Sequence, residues 1–406
     1  MAQQDKLNNK SVLDIIKFQL KNNIRQYTMF IALIGIMVIF SLLNGNFFTP
    51  RNLSTLMLQT AHIAILACGV VLVIVAGHID LSIGAVVGLT GATCAILMRN
   101  FGGGPGGIAL AVIITLAIGA IIGLWQGYWV AYRNVPAFIV TLAGMMFFNG
   151  LLLKITNGET VTVPNAFKVI GQDYIPTIFG GSNSVKDMIP HNTTIIMLIA
   201  IIAIYVIMEL RKRKERETYE FEVLPSTLFV LKLLVVISMI SFVFIILSLY
   251  RGVPYSTLLL MVVGGLYTFI TTKTTFGRHV YAIGGNKEAA KLSGIDIKKR
   301  TLWIFISSGI LGAIGGMLFT ARLASATAAA GQGMELEVIA AAIIGGTSTL
   351  GGEGTIMGAI VGALVMATLN NGMLLMDVGT PERLIVKGFV LLLAVWIDIS
   401  TRKKNA

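Results

Sequence analysis

The stretch Leu56-Met-Leu-Gln-Thr-Ala-His-Ile-Ala-Ile-Leu-Ala-Cys-Gly-Val-Val-Leu-Val-Ile-Val-Ala76 contains no formally charged side chain. Crossing the roughly 30 Å hydrocarbon layer of a bilayer takes about 20 mostly apolar residues in helical form. This run meets that length, and a second apolar run, 79–98, follows almost at once. The pair reads as two spans or as one broken, re-entrant element. Further apolar runs lie at 27–44, 107–131, 136–156, 193–210, 226–248, 255–274, 301–320, 337–352, 354–372 and 384–399. The run 337–352 is short and rich in glycine, so it too reads as a broken segment. The expected fold is all-α: a polytopic membrane protein of about 10–12 transmembrane or half-spanning helices. Residues 1–26 form a polar N-terminal segment, 27–400 the membrane domain with a hydrophilic loop at 275–300, and 401–406 a short tail.

Composition excludes the alternatives. Of 406 residues, 55% are hydrophobic and only 12% charged, about half the charge fraction of a soluble domain. A disulfide scaffold, a disordered chain and an ordinary cytosolic enzyme are ruled out. The net charge of +12 is explained by topology. With the N-terminus inside and every segment crossing, 21 of the 31 Lys and Arg residues fall on the cytoplasmic side. That bias places both termini in the cytoplasm by the positive-inside rule. The charges are spread over five loops, so nucleic acid is not an expected partner. The run Arg211-Lys-Arg-Lys-Glu-Arg-Glu217 reads as a solvated turn near anionic lipid. Cys68 and Cys94 lie in apolar runs, and the four histidines make no metal-ligand spacing. No metal, cofactor or catalytic set is expected.

Glycines recur four residues apart: Gly119, Gly123 and Gly127, then Gly84 and Gly88, Gly312 and Gly316, Gly358 and Gly362. Such spacing puts a smooth groove on one helix face and lets a second helix approach closely. Gly84-Ala-Val-Val-Gly88 and Gly358-Ala-Ile-Val-Gly362 match each other, each after a polar break. They are chance likeness between small-residue helices or the trace of an internal duplication, a common plan in transporters.

The most distinctive hydrophilic stretch is Phe276-Gly-Arg-His-Val-Tyr-Ala-Ile-Gly-Gly-Asn-Lys-Glu-Ala-Ala-Lys-Leu-Ser-Gly-Ile295. Asn286 is placed to cap a helix, Glu288 lies in its first turn and Gly294 just past its end. A two-turn helix is marginal in water by itself. It either rests on its own protein or docks on a partner.

At this loop the chain resembles the ribose/xylose-class permeases of bacterial ABC importers. Asn286-Lys-Glu-Ala-Ala-Lys-Leu-Ser-Gly-Ile295 is similar to their coupling-helix signature. Gly77-His-Ile-Asp-Leu-Ser-Ile-Gly84, Val135-Pro-Ala-Phe-Ile-Val-Thr-Leu-Ala-Gly144, Ala341-Ala-Ile-Ile-Gly-Gly-Thr-Ser348 and Val386-Lys-Gly-Phe-Val-Leu-Leu-Leu-Ala-Val-Trp396 agree in order. Ile155-Thr-Asn-Gly-Glu-Thr160, Asn371-Gly-Met-Leu-Leu-Met-Asp377 and the added segment 157–250 look most like the xylose-type or multiple-monosaccharide branch. The resemblance implies a homodimer of permease chains in a bacterial inner membrane, an ABC ATPase and an extracytoplasmic sugar-binding protein. It implies that Gly285, Asn286, Glu288, Ala289, Ala290, Ser293 and Gly294 form the surface that meets the ATPase.

The residues themselves agree that any ATPase is a separate chain. Gly102-Gly-Gly-Pro-Gly-Gly107 and Ile344-Gly-Gly-Thr-Ser-Thr-Leu-Gly-Gly-Glu-Gly354 lack the lysine of a phosphate-binding loop. An ion-coupled secondary transporter is the competing reading, and it wants an ionisable group well inside a span. Asp80, Glu209, Glu353, Asp377 and Asp398 all lie near span ends or breaks. Polar residues placed to line a path are Gln59, Asp80, Asn149, Asn370 and Asn371, although interhelical hydrogen bonds are an ordinary use for such groups. Asp80 also stands where it would cap a helix beginning near Leu81.

Overall fold

The structure is a computed structural model that describes residues 24–178, 191–221, 223 and 225–403. The N-terminal residues 1–23 and the tail 404–406, both read above as cytoplasmic, lie outside the described residues. The described chain is almost wholly helical. Its helices are α1 (Ile24–Leu43), α2 (Pro50–Val75), α3 (Ile83–Asn100), α4 (Pro105–Ala131), α5 (Ala137–Thr156), α6 (Asn165–Gln172), α7 (Asn192–Thr218) and α8 (Ser226–Ser248). They continue with α9 (Tyr255–Lys273), α10 (Thr275–Gly285), α11 (Lys287–Leu292), α12 (Ile297–Leu323), α13 (Met334–Ile344), α14 (Ile356–Leu375) and α15 (Thr380–Lys403). Two short strands, β1 (Val161–Thr162) and β2 (Ser325–Ala326), pair antiparallel with Val161 opposite Ala326. Among the described residues, nine helices are long and apolar enough to cross a membrane. The apolar helices α1, α13 and α15 make up the remainder of the expected set.

Local chemistry sets the boundaries. Pro50 and Pro105 stand at the first positions of α2 and α4, where a missing N–H costs nothing. Thr274, Asp296 and Thr355 cap α10, α12 and α14, accepting from the backbone N–H of Gly277, Lys299 and Gly358 at 3.2, 3.0 and 3.0 Å. The run 337–352 is half helix: α13 stops at Ile344, and Gly346 adopts φ +87°, a left-handed conformation that continues no helix. The chain then runs irregularly to Thr355. The pair 56–76 and 79–98 is two full helices joined by residues 76–82.

The chain forms two compact units. One holds residues 48–54 and 174–254, with α7 and α8 packed as a hairpin. His191 Nδ1 shares a hydrogen bond with the Thr194 hydroxyl at 3.0 Å at the start of α7, and Lys232 on α8 pairs with Glu209 on α7 at 2.7 Å. Few residues of these two spans are buried, so their outer faces suit lipid.

The other unit holds residues 28–47, 55–173 and 255–406. Its centre is α2, whose apolar window is 89% buried. Residues of α3, α12, α13 and α14 share its apolar core, α4 packs along α12, and the fourfold-spaced glycines lie where backbones approach closely. A Cβ at Gly123 would strike the Phe305 carbonyl of α12, and one at Gly362 would strike the Ala341 carbonyl of α13. Backbones in contact this closely gain dispersion energy and leave no room for side chains.

Candidate coupling surface and polar cavity

The larger unit has two ends of opposite character. At one, α10 and α11 form a cap over the end of α2. Asn286 Oδ1 accepts from the Ala289 N–H at 2.9 Å, closing the first turn of α11. The Ile295 N–H returns to the Ala290 carbonyl at 3.1 Å, with Gly294 between them at φ +80°. This short helix is thus closed at both termini by its own sequence. Gly285, Asn286, Glu288, Ala289, Ser293 and Gly294 are exposed, whereas Ala290 is buried against the protein. Leu292 stands 89% exposed beside them.

Behind this surface the backbone is in direct contact with the bundle. A Cβ at Gly284 would overlap the Val75 carbonyl at the end of α2 and meet the Gly352 nitrogen at 2.6 Å. The Gly352 N–H donates to that same Val75 carbonyl at 2.8 Å. The Tyr281 hydroxyl donates to the Gly354 carbonyl at 2.7 Å. So α10, the end of α2 and the irregular leg after α13 meet at one joint. Lys287, the first residue of α11, lines a recess with His78. Burial, with the Lys287 ammonium adding to it, pushes the His78 imidazole down to about 4, leaving it neutral at pH 7.

Asp80 lies in the 76–82 connection and is fully enclosed. Its Oδ1 accepts from the Ser82 N–H at 2.9 Å and the Ser82 hydroxyl at 2.7 Å, and its Oδ2 from the Ser308 hydroxyl at 3.2 Å. Gln126 Nε2 donates to Ser82 Oγ at 2.6 Å. The carboxylate ties the entry of α3 to α12 and, through Ser82, to α4. It faces no cavity. The helix it precedes begins at Ile83, with Ser82 at the cap position.

At the opposite end of α2 the helices separate around a cavity of about 300 Å³. Gln59 and His62 enter it from α2, Phe319 and Arg322 from α12, Glu337 from α13, Asn370 from α14, and Arg383 and Lys387 from α15. Gln59 is nine residues into α2, about 14 Å from its start at 1.5 Å per residue. Glu337 and Lys387 form an ion pair inside, and Asn370 Nδ2 stands 3.5 Å from both Glu337 oxygens. Asn371 Nδ2 donates to Gln59 Oε1 at 3.4 Å, bracing one wall.

Of the polar residues expected along a path, the cavity brings together Gln59 and Asn370, with Asn371 directly behind. Asp80 is near the other end of α2, and half-buried Asn149 on α5 is not among the lining residues. Glu337, Lys387, His62 and Arg322 also line the cavity, although nothing in the local sequence pattern marks them as a group. The signal for Glu337 was present: Glu335 and Glu337 interrupt the start of an apolar, glycine-rich run, where a carboxylate has no place unless a partner meets it.

Residues 52–395 match the family model described as branched-chain amino acid transport system / permease component. The chain belongs to this permease family. Both the capped loop and every cavity residue fall inside the matched span. The permease is 43% identical to the xylose transport system permease protein XylH of Haemophilus influenzae, over 95% of its own length and 100% of the relative's. It is 42% identical to XylH of Escherichia coli strain K12, over 94% of each chain. To the ribose import permease protein RbsC of Haemophilus influenzae it is 32% identical, over 95% of its length and 97% of the relative's. No solved structure matches the permease. It is a multi-pass membrane protein, and its transport role rests on this near-complete kinship.

Proposed function

We propose that the permease is the membrane subunit of an ABC importer that carries a xylose-like monosaccharide into the cytoplasm. The observation that carries this reading is the 43% identity to a xylose permease across 95% of the chain. The family description names branched-chain amino acids, but the cavity supports the sugar reading. Gln59, Asn370, Glu337, Lys387 and Arg322 suit hydroxyl groups and would leave an aliphatic side chain facing unpaired polar atoms.

In this reading both termini and the α10–α11 loop are cytoplasmic, and the cavity opens toward the opposite, extracytoplasmic side. A sugar-binding protein delivers its ligand there. A separate ATPase, which carries the catalysis, receives the surface Gly285, Asn286, Glu288, Ala289, Ala290, Ser293 and Gly294. Two permease chains form the assembly, with lipid against the α7–α8 hairpin. Closure of the ATPase moves α11, and the joint at Gly284, Val75 and Gly352 passes that motion to α2 and to the leg after α13. The far ends of those same elements carry Gln59, His62 and Glu337 into the cavity.

The test is uptake of labelled D-xylose by proteoliposomes holding the permease, its ATPase and its binding protein. Accumulation that requires ATP hydrolysis supports the reading. One observation favours a second reading, the ion-coupled transporter: Glu337 is an ionisable group on the apolar helix α13, facing the cavity. Uptake that survives ATP depletion and collapses with the ion gradient would establish that alternative.

A further inference from the structure

An importer fed by a binding protein needs only a passage, and a passage needs no binding groups of its own. The cavity at the far end of α2 has more than a passage requires. His62 is 3% exposed, and its Nδ1 has no hydrogen-bond partner among the described residues. Asn370 Oδ1 is buried and equally without a partner. Each orphaned buried polar atom costs on the order of 1–3 kcal/mol, so two of them beside one cavity call for an explanation. The half-buried Arg322 adds a guanidinium with five donors and no acceptor among the described residues. The Glu337–Lys387 pair adds an acceptor and a donor side by side.

The mixture of unused donors and unused acceptors identifies the ligand class. A carboxylate or phosphate ligand would satisfy Arg322 but has no proton to give Asn370 Oδ1 or Glu337. An ammonium ligand would satisfy the acceptors and leave Arg322 unmet. A hydroxyl donates and accepts at once, and vicinal hydroxyls on one ring do so at the spacing of a carboxylate beside an ammonium or a guanidinium. The apolar C–H face of such a ring needs a flat apolar surface, which Phe319 supplies within the same cavity. A volume of about 300 Å³ stands at the small end of ligand sites, which run from about 300 to 1,000 Å³. It takes one sugar ring.

We propose that this cavity is a monosaccharide-binding site of the permease itself, in which Glu337, Lys387, Arg322 and Asn370 hold the hydroxyls of a neutral pyranose against Phe319. The proposal rests on the reading of the chain as a sugar permease and goes beyond it. The permease recognises its cargo independently of the binding protein, and so sets a second selectivity on what enters.

The full-length permease in nanodiscs, without binding protein or ATPase, tests it by saturation-transfer NMR with D-xylose, D-ribose and D-glucose, and with D-xylonate as the anionic comparison. At least one neutral sugar receives saturation, more strongly than D-xylonate, and empty nanodiscs give no such signal. Arg322→Met breaks no internal hydrogen bond, so it leaves the fold intact and lowers the signal at least five-fold. Asn370→Leu does the same, with folding checked by thermal unfolding. No transfer from any neutral sugar to the wild-type permease overturns the proposal, as does a stronger xylonate signal or unchanged signals in both variants. Uptake by the complete reconstituted importer separates the two levels. Sugar uptake without permease binding removes the site and keeps the transport reading, whereas absence of uptake for every sugar removes the transport reading.

Discussion

The two ends of α2 are built on opposite plans. At the Val75 end, glycine backbones meet without an intervening side chain, and one carbonyl receives both the contact of Gly284 and the hydrogen bond of Gly352. At the Gln59 end, long polar side chains surround open volume. A tight backbone joint transmits displacement because it has no soft rotamers to absorb it. A cavity framed by long side chains adapts instead, since its walls can change rotamer around a passing solute. One helix thus joins a stiff end to a compliant one.

The sharpest break in this comparison is to soften the stiff end. Gly284→Ala forces a Cβ into the Val75 carbonyl, and overpacking of this kind costs about 1–3 kcal/mol. The expected result is a fall in uptake of at least ten-fold while ATP hydrolysis by the reconstituted complex persists. Equal loss of both activities would mean that the joint is only structural. Next in size is Ala289→Glu on the exposed face of α11. Surface substitutions normally shift stability by no more than about 0.5 kcal/mol, so an unchanged melting temperature with at least ten-fold weaker ATPase association is expected. Normal association would remove α11 from the docking surface. Ala290 is a poorer probe, because its burial mixes docking with internal packing.

At the compliant end, Glu337→Gln leaves Lys387 without its counter-charge. Removing one partner of a well-buried pair costs about 3–5 kcal/mol, and this half-buried pair should lose less, about 1–2 kcal/mol after screening. The double variant Glu337→Gln/Lys387→Met should recover part of the loss in thermal unfolding. A double variant no more stable than the single one would show that the pair is not coupled. Loss of the Asn286 cap through Asn286→Ala is smaller, about 1 kcal/mol of local helix stability, read as faster hydrogen exchange at Ala289 with little change in global melting.

The effect least visible at neutral pH is the pH dependence. His78 is held down to about 4, below its unfolded value near 6.5. Between those values the unfolded chain binds the extra proton, so stability is fully present above about 6.5 and declines as pH falls toward 4. His78→Gln should flatten that part of the profile.

What could be read in the sequence follows the range of the forces involved. The caps of α11 were legible because Asn286 and Gly294 act within one turn of the helix they bound. The apolar runs marked the helices for the same reason, and α8 begins and ends where its run does. The half-length of α13 was foreshadowed by Gly345 and Gly346, whose conformational freedom is a local property. The cavity was legible only in its chemistry. Gln59 and Asn370 stood out as amides in apolar runs, yet Asn149 and Asp80 stood out equally, and nothing local distinguishes an amide facing open volume from one facing a neighbouring helix. Glu337 and Lys387 are 50 residues apart, and their pairing depends on how α13 and α15 pack.

The irregular leg after α13 has a consequence for how the protein is made. Backbone groups enclosed in a protein need hydrogen-bond partners there. Here the Gly352 N–H is met by Val75 and the Gly354 carbonyl by Tyr281. Both partners precede the leg in the chain, so a ribosome working from the N-terminus has produced them before residues 345–355 emerge. The leg can settle only into a bundle whose α2 and α10 are already present, which makes it a late step in biogenesis and a checkpoint on everything inserted before it.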